Sequence, residues 1–184
     1  MILLVAATEG ELTQLPGVRT LACGLGPVDA ALATRGALAS ERARAVLHVG
    51  IAGARRAAAI PLLSVVIGSK SVYADHRLGS RPNPVALPDA ALLAAVRRAL
   101  PAALVRPIAT SGLVGGGRDA DVEAMEGYGV LRAAQDAGVP AVEVRVVSNE
   151  VEERDRTRWM FTEALAELHT MLPRVVEEVV TCTG

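Results

Sequence analysis

The stretch "EVRVVSN", residues 143–149, decides the fold. Val142, Val144, Val146 and Val147 are β-branched and read as the middle of a buried strand. Glu143 and Arg145 stand two apart, so a strand puts them on one face. The strand is expected to stop at Ser148 and Asn149, and in open α/β sheets ligands bind beyond that carboxyl end. A core strand that carries an ion-pair face and delivers an amide to its end points to a site.

The rest of the chain repeats the pattern, with short apolar runs alternating with alanine-rich amphipathic runs. Strands are expected over 2–7, 18–23, 46–49, 62–67, 105–109 and 142–147. Helices are expected over 28–38, 88–100 and 126–137, the last stopped by Gly138 in a left-handed turn. A long final helix is expected from Asp155, broken or bent near Pro173. "GIAGA" (50–54) and "TSGLVGGGRD" (110–119) read as loops, and "LGSRPNPVALP" (78–88) as a surface loop. Strands interleaved with helices imply an α/β fold on a mixed, largely parallel sheet, in a single domain over 1–184.

Composition narrows the function classes. With 51% hydrophobic and 21% charged residues the chain can build a core and is not a disordered one. A net charge of −1 and only 2% aromatics give neither the basic field nor the stacking platforms of a nucleic-acid binder. Cys23 and Cys182 form no disulfide or zinc pattern, and His48, His76 and His169 are scattered, so no metal and no cofactor are expected. "MILLVAATEG" reads as a first core strand rather than a signal peptide, and no run is long enough to span a membrane; a cytoplasmic protein without a membrane partner is expected.

Two glycine motifs invite a nucleotide reading and fail it. "CGLGPVDAA" (23–31) places Asp29 where a dinucleotide fingerprint needs a small residue, and "GLVGGGRD" (112–119) lacks the Lys-Ser/Thr of a P-loop. A dinucleotide-binding oxidoreductase is therefore a weaker alternative. Glu9 and Glu11 follow the first strand, where acidic residues also suit a helix start. In "VEAMEGYG" (122–129), Gly127 and Gly129 interrupt a helical pattern at a cost of about 1 kcal/mol each relative to alanine, which implies that another backbone or a ligand comes close. Met125 could be plain core, Glu126 first-turn electrostatics, Arg145 a structural partner of Glu143, Asn149 a turn former and His48 a structural histidine. Glu11, Glu126 and Asn149 follow inferred strands and Arg145 lies within the last one, which favours one site.

"VEAMEG" followed by "VPAVEVRVVSN" (139–149) resembles the nucleoside phosphorylase and nucleosidase superfamily, in which a Met-Glu pair opens a helix and the next strand ends in Ser-Asp or Ser-Asn. "CGLGPVDAA" and "VLHVGIAGA" (46–54) resemble that family's glycine turns, in the same order. "VRVVSNEVEERDRTRW" (144–159) is similar to the futalosine hydrolase subfamily in Arg145, Ser148, Asn149, Arg154, Asp155 and Trp159. The resemblance implies a three-layer α/β/α sandwich, usually assembled as homodimers or larger homo-oligomers, acting on a small-molecule nucleoside. It implies that Glu11 holds an attacking water with Arg145 near it, and that Glu126 binds the ribose hydroxyls. Met125 would pack against sugar and base, and Asn149 would read the purine, favouring a 6-oxopurine over adenine. Ile51 and Gly53 are further substrate-side candidates. An apolar Ile51 and an anionic Glu11 disfavour phosphate, so water is the expected nucleophile. A methylthioadenosine-type nucleosidase, which normally has aspartate in place of Asn149, is the alternative within the superfamily. Futalosine, by the same resemblance, carries a benzoate on its 5′ extension, and Arg154, Arg156 or Arg158 is the expected partner of that carboxylate.

Overall fold

The chain is described by a computed structural model, in which residues 1–40, 42–76, 81–117 and 120–184 are placed. β1 (Ile2–Ala6) shows why both faces of the sheet are covered. Ile2, Leu4 and Ala6 join one hydrophobic cluster, and Leu3 and Val5 join another on the opposite face. β1 pairs in parallel with β2 (Val18–Ala22) and with β3 (Ala45–Ala54). α1 (Pro27–Ser40) and α3 (Gly127–Asp136) contribute to the cluster around Leu3 and Val5. α2 (Ala90–Ala99) and α4 (Phe161–Cys182) contribute to the cluster around Ile2 and Leu4.

The remaining strands are β4 (Val65–Tyr73), β5 (Val85–Ala86), β6 (Leu104–Thr110), β7 (Val122–Ala124) and β8 (Ala141–Glu150). β8 pairs in parallel with β3 and antiparallel with β4; β4 pairs with β6, β6 with β7, and β7 returns antiparallel to β3. Those five strands close into a ring. All five contribute to a third cluster of small and β-branched residues: Ala52, Ala54, Val66, Ile108, Val122, Ala124 and Val147. The α/β class and the mixed sheet agree with expectation. The sheet is not flat but curls until β7 meets β3.

Several boundaries also move. "GIAGA" is not a loop: β3 runs through it to Ala54, paired on one side with β7 and on the other with β8. β8 likewise continues past Val147, pairing Asn149 with Gly53 and Glu150 with Ala54 after a register shift between Ala52 and Gly53. The last helix begins at Phe161, not Asp155. Asp155 instead accepts the Thr157 N–H, at 3.1 Å, and caps a short 3-10 turn, Arg156–Arg158. Pro173 lies inside an unbroken α4, where Met171, Leu172, Val175 and Val176 are buried on both sides of it. That burial offsets the lost backbone bond. Gly138 has the expected left-handed conformation, with φ of 69°. The first residues of "LGSRPNPVALP" and the last two of "TSGLVGGGRD" lie outside the described residues.

Candidate active site

At the carboxyl ends of β1, β3 and β8 lies a cavity of about 500 Å3. Glu11 enters it from the 3-10 turn after β1, Glu9–Glu11. Its Oε2 accepts the Thr8 N–H at 3.0 Å and the Thr8 hydroxyl at 2.9 Å. Its Oε1 accepts the Ile51 N–H, on β3, at 3.1 Å. The turn and the strand thus hold the carboxylate in one orientation while its edge stays at the cavity.

Glu126 is the N-cap residue of α3 and lines the same cavity, 3% exposed. Its Oε1 accepts the Gly26 N–H at 3.2 Å, so the glycine turn before α1 serves this carboxylate and no dinucleotide. Its Oε2 faces Arg145 Nη2 at 3.4 Å. Burial raises the Glu126 pKa above the usual carboxylate range; Arg145 and the Gly26 N–H pull it down, and Glu11 and Glu143 push it up. Met125 precedes it on the cavity wall.

Asn149 completes the wall from β8. Its Oδ1 accepts the Ser148 hydroxyl at 2.8 Å, and its Nδ2 donates to the Glu150 carbonyl at 2.9 Å. One amide hydrogen and one oxygen lone pair remain for a ligand. Gly53 lies beside it. A Cβ there would stand 3.1 Å from Asn149 Nδ2 and 3.0 Å from Val151 Cγ2, so glycine keeps the amide in place.

Arg145 does not line the cavity but lies behind it, 1% exposed. Its Nε donates to Glu143 Oε1 at 2.9 Å, and its Nη2 donates to His48 Nε2. Burial works against its charge, but Glu143, Glu126 and Glu11 together hold its pKa above that of an ordinary arginine. His48 is wholly buried, and burial, with Arg145 beside it, keeps its pKa well below 6.5. The neutral ring donates from Nδ1 to the Val5 carbonyl at 3.0 Å, leaving Nε2 to accept from Arg145. Burial, with Glu126 nearby, pushes the Cys23 thiol up to about 12, which rules it out as a thiolate nucleophile.

Of the sequence candidates, Glu11, Ile51, Gly53, Met125, Glu126 and Asn149 share this cavity. The three arginines separate. Arg156 lines it and also an adjoining cavity of about 430 Å3, and its guanidinium sits 5.5 Å from the Trp159 ring centre. Arg154 lines only the adjoining cavity. Arg158 lines neither; it is 72% exposed and pairs with Glu153 and Asp155. The expected cluster at the first turn of the last helix is thereby corrected to a loop and a 3-10 turn before α4.

Sequence reasoning missed Glu123. Its buried carboxylate accepts the N–H groups of Gly115 and Gly117 and meets Arg55 at 3.5 Å, tying the glycine-rich loop to the cavity wall. An acidic residue inside the apolar run "VEAM" was the available signal. The two interrupting glycines are explained by close approach. A Cβ on Gly129 would strike the Pro27 carbonyl of α1, and one on Gly127 the Glu143 carboxylate. Among the described residues no group of three His, Cys, Asp or Glu side chains could hold a metal ion. No described helix is long and apolar enough to cross a membrane.

No protein-family model matches the chain. Over 46 residues, 25% of its length, it is 59% identical to the futalosine hydrolase of Streptomyces coelicolor, and to the same extent to that of Acidothermus cellulolyticus. The matched stretch spans only about a fifth of those relatives, 20% and 19% of their lengths. Among solved structures, a 5′-methylthioadenosine/S-adenosylhomocysteine nucleosidase from Colwellia psychrerythraea, in complex with adenine, superposes with a TM-score of 0.84 at 19% identity, covering 96% of this chain and 94% of the other. The futalosine hydrolase of Helicobacter pylori superposes with a TM-score of 0.84 at 16% identity, covering 96% and 97%. The chain thus shares its fold with these nucleosidases over nearly its whole length, and a quarter of it matches futalosine hydrolases closely in sequence.

Proposed function

We propose that the protein is a futalosine hydrolase: it cleaves the N-glycosidic bond of futalosine with water, releasing hypoxanthine and the dehypoxanthinyl sugar derivative, a step of menaquinone biosynthesis. Residues 1–184 act as one nucleosidase domain, in the cytoplasm, as a homo-oligomer. The fold reading that goes with this is three-layered, with helix pairs on either side of the curled sheet. The observation that carries the proposal is the convergence of Glu11, Glu126 and Asn149 on one cavity, in a chain with a stretch 59% identical to futalosine hydrolases.

The chemistry divides among those groups. As the bond from sugar to base breaks, positive charge grows on the ribose ring and the bonding electrons leave on the purine. Glu11 orients water and takes its proton as the oxygen bonds to the sugar carbon. Glu126 accepts hydrogen bonds from the ribose hydroxyls, and Met125 packs against sugar and base. Asn149 donates its free amide hydrogen to the 6-oxygen, onto which the departing anion delocalises, and accepts from N7 once solvent has protonated it, Glu11 returning the proton of the attacking water to solvent. Water is favoured over phosphate because the Ile51 N–H is already donated to Glu11, whose negative charge would repel a phosphate dianion. Arg156, at the junction of the two cavities and without a carboxylate partner among the described residues, is the arginine proposed to meet the benzoate of the 5′ extension.

Incubation with futalosine, inosine and methylthioadenosine, each with and without phosphate, tests the reading by chromatography of the free base. Hypoxanthine from futalosine, independent of phosphate and lost in Glu11→Gln, is expected. Adenine from methylthioadenosine as the preferred product would assign the chain to the other nucleosidase type. In the same panel Arg156→Ala should raise KM for futalosine more than for inosine; an equal change removes Arg156 from substrate recognition.

A further inference from the structure

Glu143 is wholly buried on β8 and is not among the residues lining the cavity. A buried carboxylate is costly unless its oxygens are hydrogen-bonded and its charge is balanced. Here Oε1 accepts Arg145 Nε at 2.9 Å, and Oε2 accepts the buried hydroxyl of Ser71, on β4. The carboxylate also lies against Gly127, the first residue of α3, where a Cβ would collide with both its oxygens. Three elements are therefore shaped around one side chain that reaches no ligand.

The arrangement fixes Arg145. Glu143 holds its Nε and His48 its Nη2, so the planar guanidinium has one orientation. In that orientation Nη2 also reaches Glu126 Oε2 at 3.4 Å. Nη1 and the Glu11 carboxylate converge over Gly50, where a Cβ would meet both. Arg145 thus stands between the two carboxylates at the cavity.

We propose that Glu143, seated by Ser71, is a positioning residue that holds Arg145 between Glu11 and Glu126 and so keeps the site's ribose-binding carboxylate in place. This rests on Glu126 being the ribose ligand. The groups facing Glu126 are Arg145 and Glu143 from β8, Glu11 from the turn after β1, Cys23 after β2 and the Gly26 N–H before α1, with His48 of β3 acting through Arg145. Burial raises the proton affinity of Glu126 most, Arg145 and Gly26 lower it, and the charges of Glu11 and Glu143 add to it. Moving Arg145 away while the Glu143 charge stays therefore makes Glu126 ionise at higher pH.

Glu143→Gln, Glu143→Asp and Ser71→Ala test this against wild type. In Glu143→Gln, kcat for futalosine falls by about tenfold or more with KM less affected. Glu143→Asp and Ser71→Ala keep the charge but loosen Arg145, so kcat falls severalfold and the acid limb of the kcat–pH profile moves to higher pH. Unchanged kcat in both Glu143→Gln and Ser71→Ala, or a change confined to thermal stability, overturns the proposal. If Glu143→Gln does not fold, Ser71→Ala carries the test, and unchanged kcat there overturns it. If wild type releases no base from any nucleoside, the nucleosidase reading fails by itself, and positioning is read without turnover. The Nε–H of Arg145, assigned in nitrogen-15 spectra by its loss in Arg145→Lys, should exchange with solvent about tenfold faster in Ser71→Ala or Glu143→Gln. Equal exchange rates overturn it.

Discussion

Asn149 has its amide orientation set by Ser148 and Glu150, which leaves a donor and an acceptor pointing one way round. A 6-oxopurine complements that order. Asn149→Asp removes the donor to the 6-oxygen and, when protonated, can donate to N7 while accepting from a 6-amino group. The ratio of hypoxanthine to adenine released from paired nucleosides should fall in Asn149→Asp; a constant ratio would leave Asn149 as a strand residue only. Glu126 gives a prediction of stability. Its pKa is raised in the folded state, so the folded protein binds that proton more tightly than the unfolded chain. The resulting stabilisation is complete below the unfolded pKa and is lost as pH rises through the folded one. Glu126→Gln cannot ionise and escapes that loss, so its Tm relative to wild type should rise as pH increases above about 4, the ordinary carboxylate range. A flat difference would mean that Arg145 cancels the cost of burial. Glu11, Glu126 and Asn149 were legible as polar residues near the ends of apolar runs, and the resemblance singled them out, Glu11 rather than Glu9 included. Arg145 was legible as a partner of Glu143, but its depth was not, because His48 on β3 and Glu11 after β1, which close around it, are far away in sequence.

Elements were legible wherever a period had room to repeat. β1, α1, β6 and α3 match their expected ranges to within two residues. β7 and β5, of three and two residues, are too short to show alternation and exist because neighbours pair with them. "GIAGA" lacks β-branched signal except at Ile51, yet it is strand because β7 and β8 supply a ladder on each side. The helical glycines carried the more useful signal. At Gly129 two effects oppose each other: alanine is the better helix former by about 1 kcal/mol, but its Cβ would press on the Pro27 carbonyl of α1. Overpacking against backbone typically costs about 1–3 kcal/mol, and here the obstacle is not a flexible side chain, so the clash should win. Gly129→Ala is expected to lower the urea midpoint of unfolding. A raised midpoint would show that α1 slides aside and that the α1–α3 contact is loose.

At the scale of the whole molecule, ring closure depends on β8 pairing with both β3 and β4 and on β7 reaching β3, contacts between distant segments that no local pattern encodes. The surface holds a second feature that local reading did not place. α1 buries only Ala30 and Thr34, whereas Leu25, Val28 and Leu32 are 64%, 65% and 66% exposed. Val28 and Leu32, four apart, share one face of α1, and Leu25 lies in the turn that leads into it. Leu25 is also part of the cavity wall, so these side chains run up to the mouth of the site. The homo-oligomer proposed above would cover these exposed apolar side chains, and a net charge of −1 does little to oppose self-association. A second copy placed about a two-fold axis would bury them on both chains at once. Sedimentation should therefore show a dimer or larger assembly for wild type. Val28→Glu, which buries a charge in that contact, should shift it to monomer and raise KM, because the wall at Leu25 loses its cover. A wild type that sediments as a monomer at the concentrations used for assay, with Val28→Glu kinetically unchanged, would assign these side chains to solvent.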